Sequence, residues 1–343
     1  MTQNDWAIFS PQWQKILYAE SRLARKEVAY KGSTAFKNII QIYEMAFEEK
    51  ITINKNLLPE VFEDMLKVKE LSLSMFGDDL KEIAPIQFLP NLQILYLDMT
   101  NILDYSPLKH LKFLSKLSIN HIKKADLSVL SSLTSLKYLQ LFKSNLEDIS
   151  MLKTLVNLTD LSVENNQIKD VSALKNLKNL KKLNLSHNVI EDISALAYLI
   201  KLANFNLGSN KITEIGALAN LTNLVELQLS CNQIEDISAL KDLKNLKELY
   251  LSVNPIKNIT ALENLDNLQE LGVRETLVED ISAIQNLPHL ARLSMEKIKS
   301  IKTHFPILQK MTHLKYLNIS KNRVSFVNYE FLKKNLPNCK IEI

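Results

Sequence analysis

From Leu158 the chain says the same thing five times, in units of 22 residues: LTDLSVENNQIKDVSALKNLKN, LKKLNLSHNVIEDISALAYLIK, LANFNLGSNKITEIGALANLTN, LVELQLSCNQIEDISALKDLKN and LKELYLSVNPIKNITALENLDN. Leucine or a close substitute holds positions 1, 4, 6, 14, 17 and 20, isoleucine mostly holds position 11, and asparagine holds position 9 in all five. A fixed period of this length means one supersecondary unit per repeat, which buries its apolar side chains only by stacking on its neighbours. The phrase extends both ways. Units begin at Val68 (with two extra residues around Phe76-Gly77-Asp78-Asp79), at Leu92, at every 22nd residue to Leu290, and at Leu314. The unit from Leu290 runs to 24 residues, and Leu336-Pro-Asn-Cys339-Lys-Ile341 repeats only the first half. The expected domains are therefore residues 1–67 and a stack over 68–343, with about twelve units and a closing strand.

Each position has a physical job. Positions 4 and 6 alternate with 5 and 7 at the period of a strand, so Leu183 and Leu185 should point inward and Asn184 and Ser186 outward. Neighbouring units then pair their strands in parallel. After the strand the chain turns, and interior backbone groups need partners. A buried amide has both donors and an acceptor, so Asn166, Asn188, Asn210, Asn232 and Asn254 should form a ladder with neighbouring backbone. Thr100, Ile122, Ser144, Thr276 and Ile298 fill the same slot, which predicts looser backbone or a bend there. In the second half of the unit, Ser172, Ser194, Ser238 and Ser282 are placed to cap one turn of helix. Asp148, Asp170, Asp192, Asp236 and Asp280 precede such turns, where negative charge is favoured. A calcium ladder is not expected of them, since calcium needs several oxygens converging on one ion.

Residues 1–67 do not repeat. Ser10-Pro11 reads as a helix start, Trp13, Ile16, Leu17, Leu23 and Val28 as an apolar stripe, and Gly32 as a stop. Phe36, Ile39, Ile40, Tyr43 and Phe47 suit a second amphipathic helix. Pro59 opens a third with Val61, Phe62, Met65 and Leu66. Terminal units of a stack expose core unless covered, so these helices are expected to cap the first unit. The alternative is a small domain with its own contacts through Arg22, Arg25 and Lys26.

The pattern L-x-x-L-x-L-x-x-N-x-I, followed by D-I-S-A-L, resembles the leucine-rich repeat of the internalin and SDS22-like type, from Val68 to the end. The resemblance implies an α/β fold: a curved, right-handed leucine-rich repeat solenoid with a parallel concave β-sheet, short 3-10 turns on the convex side and an α-helical N-terminal cap. It implies recognition of a protein on the concave face. The alternatives it carries are an SDS22-like regulatory subunit of a phosphatase, or a secreted effector or adhesin that recognises a host protein.

Chemistry is not indicated. No G-x-S-x-G, phosphate loop, H-E-x-x-H or C-x-x-C occurs, so neither catalysis nor a cofactor nor a metal is expected. The two cysteines, Cys231 and Cys339, read as free thiols, which points weakly to a reducing compartment. The start lacks a basic segment before an apolar run, and no apolar stretch approaches a membrane span. The protein is accordingly expected to be cytoplasmic, or exported without a classical signal, and to act as a monomer. From Leu290 on, eleven Lys/Arg face only Glu296, Glu330 and Glu342, a basic end that reads as a solvated cap.

The residues free to act are those that face out of the sheet and vary between units. One group is large and apolar or aromatic, Ile94, Tyr96, Met99, Tyr138 and Phe142, interleaved with Asp98, Lys116, Asn120 and His121. Such clusters anchor protein interfaces. Further along come Asp160, Glu164, Glu226, Glu248 and Glu270 around Tyr250, and then Arg274 and Arg292. A protein ligand with a basic stretch followed by an acidic end matches that order. Nucleic acid does not suit the acidic middle.

Overall fold

A computed structural model describes residue 10, residues 12–17 and 19, and residues 58–343 apart from 123–124, 299–300 and 323. The expected second helix around Phe36–Phe47, the stop at Gly32 and the contact face at Arg22, Arg25 and Lys26 lie outside the described residues. The chain forms two compact units, Met1–Gln140 and Leu141–Ile343.

The first unit contains four three-residue strands, β1 (Glu70–Ser72), β2 (Ile94–Tyr96), β3 (Lys116–Ser118) and β4 (Tyr138–Gln140). They pair in parallel and in sequence order, position on position, with Leu71, Leu95, Leu117 and Leu139 in one row. Trp13, Ile16, Leu17 and Ala19 of the first helical segment are fully buried. Trp13 donates from its indole Nε1 to the Glu82 carbonyl of the first repeat at 3.1 Å. Ser10 sits at the start of this helix as expected, its Oγ accepting from the Trp13 N–H at 3.4 Å. The helix Leu58–Met65 buries Val61 and Met65. Leu66 was expected on the same stripe, but it lies past the helix end and is half exposed.

The second unit holds nine more parallel strands of the same length: β5 (Asp160–Ser162), β6 (Lys182–Asn184), β7 (Asn204–Asn206), β8 (Glu226–Gln228), β9 (Glu248–Tyr250), β10 (Glu270–Gly272), β11 (Arg292–Ser294), β12 (Tyr316–Asn318) and β13 (Lys340–Glu342). They again run in sequence order. Opposite the strands, the regular repeats make a 3-10 turn such as Ser172–Leu174 or Ser238–Leu240, which carries Leu174 or Leu240 into the core, and the repeat from Leu314 makes an α-helix there, Phe326–Asn335. The leucines of positions 1, 4, 6, 14, 17 and 20 between Leu158 and Leu265 are essentially inaccessible to solvent.

The asparagine ladder is present. Asn210 accepts from the Ile190 N–H at 3.0 Å through Oδ1, and its Nδ2 donates to the carbonyls of Leu185 and Leu207, both at 3.0 Å. Each of those carbonyls also receives the neighbouring amide, Asn188 or Asn232. The ladder runs from Asn166 to Asn254 and reappears at Asn322, whose Nδ2 reaches Met295 and Ile319. Thr100 and Thr276 retain only the bond within their own repeat, to Leu97 and Val273.

The capping expectation needs correcting. Ser172, Ser194, Ser238 and Ser282 do not cap. Each is the first residue of its 3-10 turn, and the preceding valine or isoleucine occupies the cap without a side-chain bond. The aspartate two residues earlier serves instead. Asp170 Oδ1 accepts the Ser172 N–H at 2.8 Å, and its Oδ2 accepts the Ser172 hydroxyl at 2.9 Å. Asp148, Asp192, Asp236 and Asp280 repeat the pair. A short carboxylate reaches a backbone N–H two residues ahead without strain, as in an Asx turn.

Position 8, directly before the ladder residue, is left-handed in the repeats from Leu92 onward. Met99, His121, Lys143, Asn165, His187, Ser209, Cys231, Val253, Glu275, Lys297 and Lys321 all have φ between 50 and 60°. Asn165, His121 and His187 suit this by residue type, and β-branched Val253 (φ 57°) suits it least. Val253→Asn is therefore expected to stabilise the protein by about 1 kcal/mol, read as a higher denaturant midpoint at unchanged m-value.

Candidate protein-binding face

Strands of three residues leave two outward rows, at positions 3 and 5. In the first unit, position 3 is Glu70, Ile94, Lys116 and Tyr138, and position 5 is Ser72, Tyr96, Ser118 and Gln140. Ile94, Tyr96, Lys116 and Tyr138 are all partly exposed. The Lys116 ammonium lies 4.7 Å from the Tyr138 ring centre and 5.3 Å from that of Tyr96. The Tyr96 hydroxyl, as its main neighbour, raises the lysine's pKa, so it stays charged. Burial raises that of Glu70. Met99 protrudes from the left-handed turn at 58% exposure.

Asp98 is otherwise occupied. Its carboxylate accepts from Ser118 Oγ at 2.6 Å, from the Asn120 N–H at 3.0 Å and from Ser74 Oγ at 3.3 Å. Asn120 in turn donates to Ser118 Oγ at 2.9 Å. These two shape the face more than they offer contacts. Phe142 falls in the second unit, half-buried, with its carbonyl accepting from Ser144 Oγ.

In the second unit position 3 reads Asp160, Lys182, Asn204, Glu226, Glu248, Glu270, Arg292, Tyr316 and Lys340. Three glutamates thus stand side by side on β8, β9 and β10. Each has a partner: Asn204 Nδ2 to Glu226 at 2.6 Å, the Tyr250 hydroxyl to Glu248 at 3.1 Å, and Arg292 Nε to Glu270 at 2.9 Å. Burial, then the charges of Glu270 and Glu248, push the Tyr250 phenol well above its usual range. Asp160 accepts from Thr159 Oγ1, and Glu164 from Asn184 Nδ2 at 2.7 Å. Arg274 lies 3.8 Å from Glu275. Position 7 is partly exposed at Asp98, Asn120, Phe142, Glu164 and Arg274, but Ser186, expected outward, is buried, its N–H and hydroxyl both bonded to Asn184 Oδ1.

Three features had escaped the sequence reading. Gly272 stands beside Tyr250, and a Cβ there would come within 3.3 Å of the Tyr250 ring, so the missing side chain makes room for it. Tyr316 lies between Arg292 and Lys340, 4.9 and 5.6 Å from its ring centre, with its hydroxyl on Glu342 at 2.7 Å. A second asparagine column, at position 22, joins neighbouring repeats through single exposed bonds: Asn179 to Val156, Asn223 to Ile200, Asn245 to Thr222 and Asn267 to Lys244. The Asn that ends four of the five regular phrases was its signal.

Away from this face, His304 is buried in the irregular repeat, and its Nε2 has no hydrogen-bond partner. Burial lowers its pKa against the opposing pull of Asp280. The folded state thus refuses a proton that the unfolded chain accepts near pH 6.5, so stability falls as pH drops below that value. The exposed cap aspartates act lower: hydrogen bonds from their serines depress Asp148, Asp192 and Asp236, and their contribution is lost only as pH falls below about 4. Burial lowers the pKa of His313 as well, so denaturation between pH 7 and 5 should show a loss of at most about 1.4 kcal/mol per pH unit from each of the two histidines, and His304→Phe should reduce it.

Among the described residues no three His, Cys, Asp or Glu side chains gather as a metal site, and no helix is long and apolar enough to cross a membrane. Cys231 and Cys339 are free thiols.

Parallel three-residue strands, 3-10 turns and an asparagine ladder at a 22-residue period define a leucine-rich repeat protein. The family model for Leucine Rich repeats (2 copies) matches residues 156–198, 200–242 and 244–286, and that for a single Leucine Rich repeat matches 310–325. The chain is 30% identical to an internalin (inlF) from Listeria monocytogenes, covering 82% of this chain and 88% of that one at a TM-score of 0.73. It belongs to the leucine-rich repeat proteins of internalin type. Internalin C2 (inlC2) from the same organism is 26% identical over 81% of this chain and 92% of that one, at a TM-score of 0.45. A plant peptide hormone receptor, RGFR1, solved in complex with RGF2, shares the fold at 19% identity, 76% and 53% coverage and a TM-score of 0.56. No curated protein matches the chain by sequence.

Proposed function

We propose that the protein is a non-enzymatic scaffold that binds a protein partner on the outward face of its strands, the concave face of an internalin-like solenoid. One observation carries this reading. Ile94 and Tyr138 share their row with the polar Glu70 and Lys116, and Tyr96 shares its row with Ser72, Ser118 and Gln140, so the repeat requires an apolar or aromatic group at none of these partly exposed positions. Large aromatic and aliphatic groups held on a rigid sheet lose little entropy on binding and are typical anchors of interfaces. The helices before Val68 act as a cap in this proposal, supported by the burial of Trp13, Ile16 and Leu17.

The test is affinity purification from native cells with identification of what is retained, comparing the natural chain with Tyr96→Ala plus Phe142→Ala. Loss of a specific protein supports the reading; unchanged recovery removes the face assignment. A phosphatase in the retained material, with altered activity, would favour a regulatory subunit instead.

A further inference from the structure

Several charged residues of the second unit's outward rows have a partner within the sheet: Glu270 and Lys340 are ion-paired with Arg292 and Glu342, and Glu226 and Glu248 accept hydrogen bonds from the uncharged Asn204 and Tyr250. Lys116 in the first unit is different. It is only partly exposed, and among the described residues no carboxylate lies within ion-pair distance of its ammonium. Asp98 on the same face is engaged by Ser74, Ser118 and Asn120. Glu70 shares the row and its charge acts on Lys116, but Ile94 stands between them and the two form no ion pair. Lys116 is instead flanked by the rings of Tyr96 and Tyr138. These shield it from water on two sides without supplying a counter-charge, and a cation–π contact contributes only about 0.5–2 kcal/mol. A lysine held this way has lost part of its hydration and its rotamer freedom in advance. An incoming anion then has less water to displace and meets a less screened charge.

We propose that Lys116, between Tyr96 and Tyr138, receives an aspartate or glutamate carboxylate from an acidic segment of the protein partner, with the neighbouring apolar side chain of that segment seated on Ile94 and Met99. This rests on the binding-face reading above and adds the chemistry of the partner. Ile94 lies next to Lys116 in register, one strand spacing away, roughly 4.8 Å. Met99 extends from the turn that follows β2. An acidic residue with an apolar one close by in sequence therefore fits both places. The site selects against basic segments, which would meet the ammonium head-on.

The experiment uses the full chain and two synthetic peptides, acetyl-(Leu-Glu)4-amide and its isosteric control acetyl-(Leu-Gln)4-amide, titrated by heteronuclear NMR at 20 and 200 mM salt. The expected result is binding of the glutamate peptide at least tenfold tighter than the glutamine peptide, weakened by salt, with chemical-shift changes around β2–β4. Lys116→Met should abolish that preference, and Lys116→Arg should keep it. Thermal unfolding of Lys116→Met is read alongside, and a melting temperature little changed is expected because a partly buried cation with no ion-pair partner is replaced by an apolar chain. Equal binding of both peptides, with loss of both in Tyr96→Ala, overturns the charge inference and leaves the binding face intact. No binding of either peptide overturns it too, as does a Lys116→Met variant that melts several degrees lower while still preferring glutamate.

Discussion

Asn210→Ala is expected to cost about 3 kcal/mol of stability. The substitution orphans the Ile190 N–H, which has Asn210 Oδ1 as its acceptor at 3.0 Å. A buried, unsatisfied donor costs about 1–3 kcal/mol. The carbonyls of Leu185 and Leu207 lose one of two partners but keep Asn188 and Asn232, adding about 0.5–1.5 kcal/mol each. Asn210→Thr should fall in between, because Thr276 shows that a hydroxyl in this slot still reaches the carbonyl three residues back. Asn223→Ala removes a single exposed bond, to Ile200 at 2.7 Å, and should cost under about 1 kcal/mol. Urea titrations of the three variants check the order. A cost for Asn210→Ala no larger than that for Asn223→Ala would contradict the ladder as the device that holds the turns.

The second large effect is expected at Trp13. Its side chain is fully buried, and its indole N–H reaches the Glu82 carbonyl. Trp13→Ala should destabilise the first unit by about 3–5 kcal/mol. Trp13→Phe keeps most of the apolar area and loses the hydrogen bond, for about 1 kcal/mol. Repeat arrays couple mainly through nearest neighbours, so amide hydrogen exchange should quicken around Leu71–Leu95 and stay slow around Leu207–Leu251. Uniform acceleration along the chain, or none, would show that the helical segment does not serve the first repeat. The result bears directly on the proposed cap, because a separate domain at residues 1–67 would unfold without disturbing Leu71.

The repeat made most of the fold legible in advance. Leucine positions fixed which side chains are buried, and the spacing anticipated the thirteen strands. Asn166–Asn254 were placed correctly because only a primary amide offers donors and an acceptor together at a turn. The capping serines were misread because sequence pattern places Asp and Ser two residues apart without saying where the 3-10 turn begins; the turn starts one residue earlier than assumed. Leu66 was misassigned for a similar reason, since helix ends are poorly marked in sequence.

The candidate face was legible as a set of positions and not as an arrangement. Tyr96, Lys116 and Tyr138 are 20 and 22 residues apart, and only the register of β2, β3 and β4 brings the ammonium between two rings. The engagement of Asp98 with Ser74 and Ser118, and of Glu164 with Asn184, follows from neighbouring strands and turns. Composition cannot express it, because a hydrogen bond depends on side-chain direction across repeats. Gly272 shows the same limit: its value lies in the space left for Tyr250, one strand away. By itself the sequence determined what is buried and how often the chain turns, because burial and backbone satisfaction recur with every period. Which exposed charges are already paired was decided only by the tertiary structure, since that depends on which unlike residues parallel pairing sets side by side.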